Sequence, residues 1–273
     1  MSVLRIHPGR TSVMGILNVT PDSFSDGGRF FTTEDAFTQA RQMVADGAAI
    51  LDIGAESTRP GSDPVSEQEE LDRAVPVVEK LAAEFDIPLS IDTYKPAVAS
   101  HCCQAGAAII NDVTGLTDPA MIEAAKTNNA AVVIMHMRGK PKTMQRDVDY
   151  DDVVAEVRAF LAERVAAART SGIEEIAIDP GIGFGKSVAH NFELVDRLRE
   201  FTDLGVPILI GPSRKSFLSS LPSQLPVDQR LEGTIAACCA GVMNGATIVR
   251  VHDVKAVKRA VEVIDAIHAT RET

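Results

Sequence analysis

The chain has 273 residues, 45% of them apolar and 24% charged, with a formal net charge of −11. That length and balance suit one large α/β domain or two small ones. The acidity argues against nucleic acid as a partner, since a phosphate backbone needs a basic surface, and the lack of a run of about 18 apolar residues argues against a membrane span.

Residues 1–9 lack an apolar core and do not read as a signal peptide. The cysteines form two adjacent pairs, Cys102-Cys103 and Cys238-Cys239, without the spacing of a zinc or redox motif. Both pairs lie in helical patterns of small residues, so buried, reduced thiols and a cytoplasmic setting are expected.

Eight short runs rich in Ile, Val and Leu are read as strands: 13–19, 49–54, 88–92, 107–112, 130–136, 175–179, 206–211 and 246–251. They do not alternate with polar residues, which predicts parallel strands covered on both faces. Helical patterns lie between them at 33–46, 66–84, 96–104, 119–128, 151–170, 191–201, 213–220, 232–244 and 255–270. The first two carry acidic residues in their opening turns. Gly47, Gly106, Gly172, Gly205 and Gly245 follow helices and precede strands, where a left-handed C-terminal cap is expected.

Eight βα units in about 250 residues predict a (β/α)8 barrel of the TIM type, as a single domain over 1–273. The alternative is a doubly wound open sheet. The barrel is preferred because nearly every strand ends in a polar residue: Asn18, Asp52, Asp92, Asn111, His136, Asp179, Lys215 and Arg250. An open sheet needs such groups only near its switch point. The longest irregular piece, 137–150, is polar and partly basic, and is expected to be a mobile active-site loop.

Several strand ends carry readable chemistry. Asn18 offers a neutral amide oxygen that suits Mg²⁺; the alternative is a turn in which Asn18 caps its own backbone. Arg59, with Pro60 and Gly61 after it, can fork two hydrogen bonds to a phosphate, or simply be a solvated loop residue. Asp92, Asn111 and Asp179 together suit a nitrogen heterocycle with N–H, amino and carbonyl groups. Asp92 and Asp179 could instead be a catalytic pair or metal ligands, or each could cap the following helix.

The stretch from Asp179 to Lys186, DPGIGFGK, lacks the spacing of a phosphate loop. Its glycines are read as letting backbone approach a planar ligand, with Phe184 covering one face. Lys215 stands at the mouth of the seventh strand, to bond a ring carbonyl, act by charge or form a Schiff base. Ser213 is read as a helix N-cap by position. Arg250 and His252, two residues apart on an extended segment, face the same way and can grip one anion.

Taken in order, residues 14–28 (MGILNVTPDSFSDGG), 52–61 (DIGAESTRPG), 90–93 (SIDT), 111–115 (NDVTG), 135–139 (MHMRG), 179–186, 213–217 (SRKSF) and 250–253 (RVHD) resemble the signature segments of the dihydropteroate synthase family. The resemblance covers almost the whole chain. It implies a transferase of folate biosynthesis that condenses 6-hydroxymethyl-7,8-dihydropterin diphosphate with 4-aminobenzoate, with Mg²⁺, to 7,8-dihydropteroate and diphosphate.

By this resemblance Asp92, Asn111, Asp179, Lys215 and Phe184 hold the pterin. Asn18, Arg59, Arg250 and His252 hold the diphosphate, with Asn18 also on Mg²⁺. Phe24, Thr58, Pro60, Phe184, Ser213 and Lys215 line the aminobenzoate pocket. Asp92, Lys215, Arg250 and His252 carry the chemistry. The resemblance also implies inhibition by sulfonamides, which mimic aminobenzoate, and a homodimer. Ala55 and Pro212 depart from the family pattern without removing a functional group, and Ala55 then needs an ordinary backbone conformation. The competing family is the pterin-binding, corrinoid-dependent methyltransferase barrel, which shares Asp92, Asn111 and Asp179 but needs neither Phe24 nor residues 58–60.

Overall fold

A computed structural model describes residues 2–4, 7–20, 33–58, 61–145 and 148–270. Phe24, Arg59 and Pro60 lie outside the described residues.

Eight strands run in parallel: β1 (Ser12–Asn18), β2 (Ile50–Gly54), β3 (Leu89–Asp92), β4 (Ile109–Asp112), β5 (Ala131–Met135), β6 (Ile176–Asp179), β7 (Leu209–Ile210) and β8 (Ile248–Val251). Their order is β6-β5-β4-β3-β2-β1-β8-β7. Ile178 bridges Ile208 in parallel, and its N–H donates to the Pro207 carbonyl at 2.9 Å. That joins the two ends of the sheet and closes it into the expected (β/α)8 barrel; an open doubly wound sheet would leave both ends unpaired.

Alternation along the strands separates two cores. Met14, Ile50, Ile109, Ala131, Val133, Ala177, Leu209 and Ile248 point inward and pack together, with Leu4 joining them. The odd partners, such as Leu51, Ile53, Ile91 and Val249, point outward against the helices. Two residues beyond the apolar Ile50, Ile109, Ala177 and Ile248 come Asp52, Asn111, Asp179 and Arg250. The same inward face therefore turns from hydrocarbon to charge at the C-terminal mouth.

Helices α1 (Thr33–Ala45), α2 (Glu67–Glu84), α3 (Pro96–Gln104), α4 (Pro119–Thr127), α5 (Val153–Thr170), α6 (Val188–Asp196), α7 (Leu231–Met243) and α8 (Val254–Ala269) cover the outside. Their starts follow side-chain chemistry. Ser66, Asp118 and Asp152 accept from N–H groups of the first turns of α2, α4 and α5. Ser187 and His190 form a reciprocal cap on α6. Gly47, Gly106, Gly172, Gly205 and Gly245 all have positive φ, as expected of helix ends.

Three expected elements differ. The seventh strand shrinks from 206–211 to two residues, because Pro207 and Pro212 have no N–H to give a ladder. The helix expected at 191–201 begins earlier, at the Ser187 cap, and gives way to a 3-10 turn at Leu198–Leu204. The helix expected at 213–220 is only a 3-10 turn at Ser216–Ser220, since Arg214 has a φ of +57°. Ser213 is therefore not a helix N-cap.

Candidate active site

At the mouth, Arg250 from β8 spans the barrel interior. Its Nε donates to Asp52 Oδ2 at 2.5 Å and its Nη2 to Asp92 Oδ2 at 2.7 Å. Asn111 Nδ2 donates to the same Asp52 oxygen at 3.2 Å. Gly54 leaves this wall open: a Cβ there would lie 3.4 Å from Asn18 Oδ1 and 3.9 Å from Asp92 Oδ2. Asp52 is 0% exposed, and Asp52 Oδ1, Asp92 Oδ1 and Ser90 Oγ find no partner among the described residues. Buried oxygens without donors favour a ligand that brings N–H groups.

Burial pushes the Asp92 carboxyl up to about 7, with Arg250 opposing and Asp52 adding to the rise. Burial also raises Asp179, against the pull of Lys215 and the Gly181 N–H that donates to its Oδ1 at 2.7 Å. Loss of solvent lowers Lys215 to about 8, with Asp179 holding it up and Arg250 pushing it down. Burial disfavours charge on Arg250, but Asp52 and Asp92 outweigh it and hold the guanidinium above its ordinary value. Neither Asp92 nor Asp179 caps a helix: Lys95 and Ser187 occupy the cap positions of α3 and α6.

The loop after β6 crosses the mouth with Phe184 half-buried, and Lys215 Nζ stands 4.4 Å from the centre of its ring. Gly181, Gly183 and Gly185 all have positive φ, and a Cβ on Gly181 would meet the His136 carbonyl oxygen at 1.8 Å. Lys215 donates to the Ile182 carbonyl. Behind the loop, Lys186 is 2% exposed and reaches His136 Nδ1, the Gly181 carbonyl and the Phe184 carbonyl, each at 3.0 Å. Burial lowers Lys186 to about 7; burial and Lys186 together lower His136 to about 3. His136 is thus neutral near pH 7, with Nδ1 placed to accept.

Across the mouth, Ser213 Oγ lies 2.9 Å from His252 Nδ1 and accepts from the His252 N–H at 3.2 Å. Arg214 between Ser213 and Lys215 is locked from several sides. Its N–H donates to Thr234 Oγ1 at 3.0 Å, its guanidinium forks onto Asp253 at 2.7 and 3.0 Å, and its carbonyl accepts from Arg230 at 2.8 Å. These contacts sustain the left-handed backbone and aim Ser213 and Lys215 at the mouth. Ala55 has no positive φ, which is the ordinary conformation its side chain requires.

The structure therefore brings Asn18, Asp92, Asn111, Asp179, Phe184, Ser213, Lys215, Arg250 and His252 to one end of the barrel. Thr58 is half-buried in the loop after β2, behind which Glu56 is held by Tyr94 at 2.7 Å and by Lys95. The loop at 137–150, expected to be mobile, is tied down along its described part. Gly61 N–H donates to the Pro141 carbonyl at 3.1 Å, Gln145 to Gly183 at 3.1 Å, and Tyr150 to Gly185 at 2.9 Å. Sequence reasoning placed Asp52 and His136 among the polar strand ends but gave neither a contact of its own, and it gave Lys186 no separate role. The Asp52 contact was within reach, since Asp52 shares the inward face of Ile50; the pairing of Lys186 with His136 depends on the path of a loop.

No group of three or more His, Cys, Asp or Glu side chains among the described residues could by itself hold a metal ion. The Asn18 amide oxygen, beside Gly54, is the kind of oxygen donor that suits Mg²⁺.

Residues 14–252 match the family described as pterin binding enzyme. The chain is 48% identical over 261 residues to a dihydropteroate synthase of Synechocystis, covering 94% of this chain and 90% of that one. Among solved structures it is similar to Yersinia pestis dihydropteroate synthase in a sulfonamide drug complex, with a TM-score of 0.91, 45% identity and coverage of 97% and 96%. It is also similar to Burkholderia cenocepacia dihydropteroate synthase complexed with 7,8-dihydropteroate, with a TM-score of 0.86, 44% identity and coverage of 96% and 93%.

Proposed function

The chain belongs to the dihydropteroate synthase family of pterin-binding enzymes, and from that premise we propose how the residues at its barrel mouth divide the work. The reaction joins 6-hydroxymethyl-7,8-dihydropterin diphosphate to 4-aminobenzoate. The C–O bond to diphosphate breaks, a C–N bond to the arylamine forms, and one proton is released.

Asp92, Asn111 and Asp179 are read as the pterin site, with Lys215 donating to the ring carbonyl and Phe184 covering a face. The observation that carries this is the unpartnered, buried Asp92 Oδ1 beside Asn111 at the end of the inward faces. The ring's N–H and amino groups supply the missing donors, and Asp92 stabilises positive charge that spreads into the ring as the leaving group departs. Arg250 is held by Asp52 and Asp92 without ligand; a pterin on Asp92 competes for that carboxylate and frees the guanidinium to meet diphosphate.

Arg250, His252, Asn18 and Arg59 are read as the diphosphate site. Mg²⁺, when bound with diphosphate, neutralises charge on the departing group, and Asn18 is the protein oxygen that would hold it. Phe24, Thr58, Pro60, Phe184, Ser213 and Lys215 are read as the aminobenzoate pocket. The amine lone pair attacks the methylene carbon in an SN1-like step after diphosphate has begun to leave. Its proton passes to a diphosphate oxygen or to solvent, so no separate protein base is needed. Water must be kept from that carbon, a task read for the loops after β1 and β2 when they close over the mouth. Sulfonamides occupy the same pocket and compete with aminobenzoate.

We place the enzyme in the cytoplasm as one domain over residues 1–273. All four cysteines are free, which suits a reducing compartment, and no described helix is long and apolar enough to cross a membrane. Exposed Val263 and Ile267 on α8 suit burial against a second copy in a homodimer.

The site assignment is tested by calorimetric titration of pterin diphosphate into the wild type and into Asp92→Asn and Asn111→Ala. Each variant is expected to lose roughly tenfold or more in affinity, the cost of leaving a charged or amide partner unmade. Unchanged affinity in both would move the pterin elsewhere.

A further inference from the structure

The loop from Gly181 to Gly185 is fastened in an unusual way. Five consecutive carbonyls each accept from a side chain: Gly181 and Phe184 from Lys186, Ile182 from Lys215, Gly183 from Gln145 and Gly185 from Tyr150. Gly183 N–H, in turn, donates to Asn191 Oδ1 at 2.5 Å. Little of this loop's shape comes from a ladder of its own backbone.

Lys186 is the inner fastening. Its three N–H donors meet three acceptors at 3.0 Å, and a fourth, the His136 carbonyl, lies at 3.4 Å. Two of the three are carbonyls of the loop that carries Phe184, and the third is a side chain from the end of β5. One buried ammonium thus ties the Phe184 loop to the barrel wall. Burying such a charge is costly unless its donors are all used, so the position has a demanding geometry. Asp92 and Asn111 sit on strands whose ladders do not depend on this tie.

We infer that Lys186, with His136 as its acceptor, is a positioning residue for the aminobenzoate half of the reaction, holding the loop that presents Phe184 and receives Lys215. This rests on the reading above that Phe184 and Lys215 border the aminobenzoate pocket as well as the pterin, whose ring is anchored by Asp92, Asn111 and Asp179. Lys186 itself touches neither substrate. Removing its ammonium frees the Phe184 carbonyl and leaves the Gly181 carbonyl only the Phe184 N–H at 3.1 Å, which lets the ring of Phe184 drift and spoils the wall against which the arylamine is aligned. The pterin, held chiefly by strand residues, feels the change less.

The test uses Lys186→Met, which keeps the apolar stem, with Gln145→Ala and Tyr150→Phe as milder cuts at the outer fastenings of the same loop. Steady-state assays with both substrates give KM for 4-aminobenzoate, calorimetry gives Kd for pterin diphosphate, and thermal melts report folding. Lys186→Met is expected to raise KM for 4-aminobenzoate about tenfold or more while Kd for the pterin, which also meets Phe184 and Lys215 but is anchored by Asp92, Asn111 and Asp179, rises by a smaller factor of roughly two to four. Gln145→Ala and Tyr150→Phe are expected to raise the same KM by smaller factors of roughly two to five. Equal losses in both constants, or a KM unchanged in every folded variant, would overturn the inference. If Lys186→Met does not fold, the two outer variants decide it by the same split. A wild type that makes no product would count against the functional reading itself, whereas an active wild type with indifferent variants counts only against Lys186.

Discussion

Asp92 shows how an active site is written into single residues at the expense of stability. An unfolded aspartate titrates near about 4, whereas burial holds this one near about 7. Between those values the folded state keeps a proton that the unfolded state lacks. Stability therefore falls as pH rises through that window, and the full penalty applies above 7. Asp92→Asn removes this titration. Its melting temperature relative to wild type should be higher at pH 8 than at pH 5, while product formation falls about a hundredfold or more. A melting difference that does not change with pH would mean that Asp92 is solvated. Asp92 must be ionised to accept from the ring, and Lys215, near about 8, must be protonated to donate. A bell-shaped profile of kcat/KM with limbs near 7 and 8 is expected. Lys215→Arg, which stays charged, should move the alkaline limb upward; a limb that stays in place belongs to another group.

At the scale of elements, the loop after β6 separates the needs of folding from those of chemistry. A Cβ on Gly181 meets a fixed backbone oxygen, that of His136, while one on Gly183 meets Lys215 Cδ at 2.8 Å, on a flexible chain. Both glycines have positive φ, costing an alanine about 1–2 kcal/mol. Gly181→Ala should therefore lower the melting temperature clearly more than Gly183→Ala. Gly183→Ala should instead raise KM by displacing Lys215. The reverse ranking would contradict the packing described. Much of this arrangement was legible beforehand. The apolar runs gave the strands, and the polar residue closing each run gave the ring of groups at the mouth. Hidden were features set by backbone path. Two prolines cut β7 short, the left-handed Arg214 turned Ser213 from a helix cap into a partner of His252, and the Lys186 tie depends on carbonyls that no sequence pattern marks.

In the whole molecule, the two ends of the barrel have opposite tasks. The floor is hydrocarbon, with Leu4 packed into the inner cluster and Ser2 and Val3 donating to Glu175 at 2.7 and 2.9 Å. The mouth is a set of buried charges that a pure stability optimum would avoid. Leu4→Ala should cost about 2–5 kcal/mol in unfolding free energy, the range for a buried leucine, with kcat and both KM values unaltered at 25 °C. A large kinetic effect would mean that floor and mouth are coupled through the barrel. The most direct test of the account is product chromatography with the purified chain, pterin diphosphate, Mg²⁺ and 4-aminobenzoate. Dihydropteroate should appear only when both substrates are present, decline competitively with added sulfonamide, and collapse in Lys215→Ala. Pterin binding with no dihydropteroate formed would contradict it.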